Sequence, residues 1–148
     1  MNNEFMILAL KEAQKAYKVK DIPVGAVVVK EGKVIARSYN KKNKLKNATK
    51  HAEILAIEKA SKKLKDYRLE GCDIYVTLEP CLMCLGAILS ARLSNLYFGA
   101  YDKKYSVKDV VEHYNFNHTC NIVGGVLEDE CSELLSKFFA ELRSEKCK

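Results

Sequence analysis

The chain has 148 residues, 48% of them hydrophobic and 30% charged, with 7 Gly and 2 Pro. That length matches a single domain over residues 1–148 with room for a sizeable core, and the composition excludes collagen-like, low-complexity and largely disordered chains. Lys plus Arg total 25 against 19 Asp plus Glu, a net charge of +6, which suits a polyanionic partner without identifying one.

No apolar run approaches the roughly 20 residues of a membrane span. The start, Met1-Asn2-Asn3-Glu4, lacks the basic and apolar regions of a secretory signal. A cytoplasmic protein with no membrane association is expected. Six cysteines in such a chain point to thiols rather than a disulfide framework. Cys81 and Cys84 form one C-x-x-C, read as ligands or redox thiols. Cys72, Cys120, Cys131 and Cys147 are scattered and read as small apolar residues.

In chain order, residues 4–18 place Phe5, Leu8, Ala9, Ala13, Ala16 and Tyr17 on one helical stripe. Ile22-Pro23-Val24-Gly25 then opens the apolar run Ala26-Val27-Val28-Val29. Glu31-Gly32 is a tight turn into a strand through Val34 and Ile35, giving a β-hairpin. Residues 40–50 are polar and read as a loop.

A helix is predicted from about His51 to Leu64, carried by Ile54, Leu55, Ile57, Ala60 and Leu64. Asp73 to Leu78 reads as a strand ending at Glu79-Pro80. Proline favours a helix start, so a helix is expected from Cys81 to about Ala91. Asn95 to Ala100 is a strand, 107–113 a short helix, and Ile122 to Val126 a short strand. Glu128 to Arg143 is a final helix, with Cys131, Leu134, Leu135, Phe138 and Leu142 on one face. A hairpin followed by strand–helix alternation implies a mixed sheet with helices on both faces.

Two short segments carry chemistry. His51-Ala52-Glu53 and Pro80-Cys81-Leu82-Met83-Cys84 both fall at predicted helix starts. Such positions on one side of a sheet can converge. His51, Cys81 and Cys84 supply one imidazole and two thiolates, a donor set that suits zinc. Three protein ligands leave one tetrahedral position open, the layout of a catalytic rather than a structural ion. Helix N-termini favour thiolates as well. Glu53, two residues past His51, can stand beside the metal without binding it and shuttle protons. A structural site would need a fourth ligand, for which only His113 and His118 remain among histidines.

H-x-E followed by P-C-x-x-C is the signature of zinc-dependent nucleobase deaminases. Over almost its whole length the chain resembles bacterial tRNA adenosine deaminases of the TadA type. The resembling stretches are 22–26, Ala48-Thr49 before the histidine, 67–72, 75–81, Phe98-Gly99-Ala100, Asn115-Phe116-Asn117-His118, and Asp129-Glu130-Cys131 leading to Phe138-Phe139.

The resemblance implies a cytidine deaminase-like fold: a three-layer α/β/α sandwich around a central mixed five-stranded sheet. It implies one zinc ion per subunit, a homodimer, and a tRNA anticodon stem-loop as partner. It also implies hydrolytic conversion of wobble adenosine to inosine, with Glu53 moving protons and backbone amides near Pro80 and Cys81 holding the attacked centre.

By matching position, the resemblance makes Asn40, Ile22, Val24, Asp102 and Phe139 substrate-contacting residues. By residue type alone Asn40 reads first as a turn residue after a strand and Asp102 as a solvated turn residue, while Ile22 and Val24 fit hairpin core as well as a pocket wall. Phe138 and Phe139 point about 100° apart on a helix, so one fits the core and the other is free to stack on a base. From Gly32 to Ala52 there are seven basic residues and no acidic one. In that segment Lys41, Lys42, Lys44 and Lys46 are candidate phosphate contacts, or simply a solvated loop.

The chain departs from the family after Asp102, where Lys103-Lys104-Tyr105-Ser106-Val107-Lys108 replaces a glycine-rich loop. Tyr101, Tyr114 and Lys50 are also unusual. These differences bear on the substrate rather than the chemistry. Two other readings remain open at this point. One is a free nucleobase or nucleoside deaminase, echoed by the guanine deaminase-like Cys84-Leu85-Gly86-Ala87-Ile88. The other is a catalytically silent, zinc-containing RNA-binding module.

Overall fold

The computed structural model describes residues 2–104 and 106–146. Cys147 and Tyr105 lie outside them. Helix α1 (Asn3–Lys18) starts where the Asn2 side chain accepts a hydrogen bond from the Glu4 amide, relieving one of the donors a helix start leaves unpaired. Strands β1 (Gly25–Lys30) and β2 (Lys33–Tyr39) form the predicted hairpin. Glu31 and Gly32 both take positive φ, 50° and 75°, the backbone that suits a two-residue hairpin turn. Then come α2 (Ala52–Leu64), β3 (Cys72–Leu78), α3 (Leu82–Ser90), β4 (Asn95–Ala100), α4 (Val107–His113), β5 (Asn121–Val123) and α5 (Glu128–Lys146).

The five strands form one mixed sheet in the order β2-β1-β3-β4-β5. β1 is antiparallel to both β2 and β3, while β3, β4 and β5 run parallel. Side chains alternate across the sheet with period two. Val27, Val29, Tyr75 and Tyr97 point into a core closed by α1 and α5. Ala26, Val28, Ile74, Val76, Leu96 and Phe98 point into the opposite core, closed by α2 and α3. The result is the expected three-layer α/β/α sandwich.

Alanine at positions 9, 13 and 16 lets α1 lie close on the sheet, and all three are fully buried. Gly25 makes the same approach possible, since a Cβ there would run into the Ala9 carbonyl. Met6 and Glu12, outside the predicted stripe, are also buried. Two expectations change. β5 stops at Val123 because Gly124 and Gly125 follow, and Gly125 turns at φ 82°. On α5, Cys131 and Phe138 are buried but Leu142 is 36% exposed. Cys72, Cys120 and Cys131 are buried, in line with their reading as apolar residues.

Strand direction decides where the site forms. Antiparallel pairing sets the start of β1 beside the end of β3, with the Gly25 amide donating to Thr77 Oγ1 at 3.1 Å. The hairpin brings the end of β2 to the same place, where the Asn40 amide donates to the Val24 carbonyl at 3.0 Å. Parallel pairing aligns Leu78 with Ala100, so Asp102 emerges beside Glu79. Residues from the start of β1 and the ends of β2, β3 and β4 thus meet at one end of the sheet.

Candidate active site

The predicted ligands are the residues just before two helices. His51 precedes α2 and Cys81 precedes α3, both with extended backbone and no side-chain capping bond. Their side chains are therefore free to point away from the helix, while the helix N-termini direct positive potential at the same spot. Cys84 sits in the first turn of α3. His51 Nδ1 lies 3.6 Å from Cys81 Sγ and 3.5 Å from Cys84 Sγ.

A tetrahedral zinc with bonds of about 2.3 Å to sulfur and about 2.0 Å to nitrogen places those atoms about 3.5 Å apart. The spacing and the soft donor set therefore fit that ion. Neither His113 nor His118 joins this group, which among the described residues contains His51, Cys81 and Cys84. His118 Nε2 instead donates to the Leu93 carbonyl at 2.7 Å, and His113 Nδ1 to the Asp109 carbonyl at 2.7 Å. The fourth ligand that a structural site would need is absent from this group.

Without a metal, the two thiols compete for one proton. A hydrogen bond from Cys84, reinforced by His51, holds the Cys81 thiol down at about 4. Cys84 moves the other way because its proton serves Cys81 and because it is buried. The hydrogen bond with Cys81 raises the His51 pKa in turn. A dication replaces these protons with charge, so both sulfurs can ligate as thiolates.

Glu53, in the first turn of α2, is 4% exposed, and burial raises its pKa above the ordinary glutamate value. It lines a cavity of about 120 Å³ together with His51 and Cys81. Ile22, Val24, Asn40, Lys42 and Asp102 line the same cavity. One pocket thus gathers residues scattered over eighty positions of sequence. Ile22 and Val24 belong both to its wall and to the core around β1.

Asn40 is nearly buried. Its side chain donates to the Ile22 carbonyl at 3.2 Å and accepts from the Lys42 amide at 3.1 Å, so it also shapes the turn after β2. Asp102 closes a turn by accepting from the Lys104 amide at 2.9 Å. Lys41, Lys44, Lys46 and Phe139 are not among the cavity's lining residues. Lys44 and Lys46 are exposed on the loop beside it. Phe139 is 38% exposed on α5, its ring edge-on to buried Phe138 at 5.4 Å between centroids.

A family model of MafB19-like deaminases matches residues 1–143. The tRNA-specific adenosine deaminase of Bacillus subtilis is 44% identical over 146 residues, 96% of this chain and 91% of that protein. The chain belongs to the family of tRNA-specific adenosine deaminases. A solved structure from a study of A-to-I editing by tRNA:A34 deaminases superposes with a TM-score of 0.86 at 42% identity, covering 90% of this chain and 100% of that one. The guanine deaminase of Bacillus subtilis superposes with a TM-score of 0.65 at 33% identity, covering 83% and 85%.

Glu79, which lines this deaminase's pocket, and Asp21, next in the chain to the lining residue Ile22, do not stand out in the sequence. Glu79 is buried, and its two carboxylate oxygens accept from the Asp102 and Val107 amides, each at 2.9 Å. It thereby ties the divergent 102–107 loop to the end of β3. Asp21, fully buried, accepts from the Asn43 and Lys44 amides. A carboxylate next to an apolar strand or an Ile-Pro step is the signal available for them. It is a weak one, because neither residue has metal-ligand spacing.

Proposed function

We propose that this protein is a zinc-dependent hydrolase that converts adenosine to inosine at the wobble position of tRNA anticodons. One observation carries the reading: a buried glutamate beside a three-donor metal group, in a pocket flanked by a lysine-rich loop. The 44% identity to the Bacillus subtilis enzyme supports the choice of substrate.

In this reading His51, Cys81 and Cys84 would hold the ion, which when bound would supply an activated water near neutral pH. Glu53 takes one proton of the attacking water, returns it to the purine ring, and then passes the remaining hydroxyl proton to the departing amine. The C6–O bond forms, the C6–N bond breaks, and ammonia leaves. Burial suits Glu53 to this cycle, because a raised pKa lets the carboxyl give protons as well as take them. Ile22 and Val24 offer apolar walls to the base, Asn40 and Asp102 polar edges, and Lys41, Lys42, Lys44 and Lys46 charge for phosphates. Phe139 is assigned by resemblance to RNA outside the pocket.

The family resemblance also supports one domain over 1–148, a homodimer and a cytoplasmic location. No helix among the described residues is long and apolar enough to cross a membrane. Sedimentation of the purified protein tests the dimer.

A second reading, a guanine deaminase-like enzyme for free bases, draws on the 33% identity to that enzyme of Bacillus subtilis. A catalytically silent RNA-binding module is the weaker alternative, since it has no use for a desolvated carboxylate beside the donors. The test is a side-by-side assay of zinc-loaded protein on an adenosine-containing anticodon stem-loop, free guanine, adenine, adenosine and cytidine. Inosine only in the stem-loop is the expected result. Ammonia from a free base, with the stem-loop untouched, would replace the substrate and keep the chemistry.

A further inference from the structure

The loop from Lys41 to Lys50 contains five lysines and no acidic residue. Such a segment repels itself and has little apolar surface to bury, so composition alone predicts a floppy loop. The structure shows a closed one. The Lys41 amide donates to the Lys50 carbonyl at 3.0 Å, sealing the neck, and the Asn47 amide donates to the Lys42 carbonyl at 3.0 Å across it.

Beneath the loop lies Asp21, with no exposed surface. Its carboxylate accepts from the Asn43 amide, 3.1 Å from each oxygen, and from the Lys44 amide at 3.1 Å. Asp21 is itself fixed to the end of α1, its amide donating to the Ala16 carbonyl at 3.0 Å. A buried carboxylate is expensive to desolvate. Here the hydrogen bonds from the two loop amides offset that cost. Tyr39 adds a second hold, with Lys41 Nζ 4.7 Å from its ring centre and Lys44 Nζ 3.3 Å from its hydroxyl.

Order in this loop bears on binding. Lys42 lines the pocket, and Lys44 is exposed beside it. A loop already ordered in the free protein loses little conformational entropy when a ligand arrives. The other rim is built the same way: Glu79 holds the 102–107 loop, with Lys103 and Lys104, by two backbone amides.

We infer that Asp21 is a positioning residue for RNA binding, holding the 41–50 loop in the conformation that presents lysines to phosphates next to the target nucleoside. This rests on the RNA-substrate reading above.

The sign of one mutation separates this role from plain electrostatics. Asp21→Asn removes a negative charge from beside the lysines, so Coulomb attraction alone predicts tighter binding of a polyanion. Positioning predicts weaker binding. The zinc-loaded full chain would be titrated with an adenosine-containing anticodon stem-loop at several salt concentrations. Asp21→Asn should weaken binding about tenfold at every salt, with an unchanged slope of log Kd against log salt, because the lysines remain but must be ordered on binding. In turnover the loss should fall on KM. Lys42→Gln or Lys44→Gln should instead flatten that slope by about 0.7 for each phosphate left without its lysine.

Hydrogen exchange on the RNA-free wild-type protein supplies an arm that needs no variant. The Asn43 and Lys44 amides should be protected. Unprotected amides, binding by Asp21→Asn as tight as wild type or tighter, a slope that flattens as in the lysine variants, or no salt-dependent binding by wild type would each overturn the inference. Inosine formation by wild type is scored separately. Its absence, with the Asp21→Asn offset intact, would refute the wobble-deaminase reading alone.

Discussion

Replacing Glu53 by glutamine should separate chemistry from architecture. The side chain is 4% exposed and shares a pocket with the metal donors. Glutamine keeps its shape but cannot take up and release a proton. General acid–base catalysis contributes about 10²–10⁴-fold, or about 2.7–5.4 kcal/mol of barrier at about 1.36 kcal/mol per decade. Glu53 is assigned more than one proton transfer, so the loss should lie toward the upper end, about 10³-fold or more.

The assay is single turnover, with zinc-loaded enzyme in excess over stem-loop RNA and inosine read by mass. Zinc content should stay at wild-type level. A second signature comes from stability. Burial raises the Glu53 pKa in the folded state. At pH well below the ordinary glutamate value both states hold the proton, and metal-free wild type and Glu53→Gln should be nearly equal in stability. As pH rises through that value the unfolded chain ionises first, so wild type loses stability relative to the variant. The gap stops widening above the raised folded-state pKa. A zinc-bound Glu53→Gln protein keeping a tenth of the wild-type rate would refute the proton-shuttle assignment. A metal-free variant less stable than wild type at pH 8 would refute the desolvation argument.

Further outcomes follow from the same geometry. His51→Ala and Cys84→Ala should each lower zinc content well below that of wild type, measured by elemental analysis after dialysis, and retained stoichiometric zinc would dismantle the proposed ligand set. In metal-free protein Cys81, held at about 4, should be alkylated by iodoacetamide at a rate nearly flat from pH 6 to 8, because its thiolate is already formed at pH values above that point. Buried Cys84 should lag far behind it, and added zinc should protect both; peptide mass mapping reads all three. Gly99→Ala should destabilise the fold by about 1–3 kcal/mol in urea melts, since a Cβ there would strike Cys131 Sγ and approach the Thr77 carbonyl to 2.9 Å. An unchanged midpoint would mean that Cys131 of α5 does not pack tightly on Gly99 of β4.

Much of this molecule is legible in the order of its residues because the signals are local. The apolar run Ala26-Val27-Val28-Val29, the Glu31-Gly32 turn and proline ahead of Cys81 each act within a few residues, and the elements they predict form close to the expected bounds. The donors are legible for a similar reason. His51 and Cys81 need only stand immediately before their helices, and a two-residue spacer brings Cys84 around the first turn.

Asp21 and Glu79 are not legible. Their partners are backbone amides of Asn43, Lys44, Asp102 and Val107, which carry no side-chain signature and lie more than twenty residues away. The exposure of Leu142, on the predicted apolar face with buried Cys131 and Phe138, likewise depends on what packs against that part of the helix, not on helical period.

Sequence by itself therefore determined the element order, the layering and the donor set, because periodicity, turn chemistry and short-range spacing are properties of adjacent residues. Tertiary structure alone decided which loops share the pocket. β1 runs antiparallel to β3 while β4 runs parallel to it, so the start of one strand and the ends of three others converge on one end of the sheet. That convergence sets Asn40, Lys42 and Asp102 around Glu53. Strand direction is a property of the whole sheet, settled by long-range backbone pairing that no short stretch of residues contains.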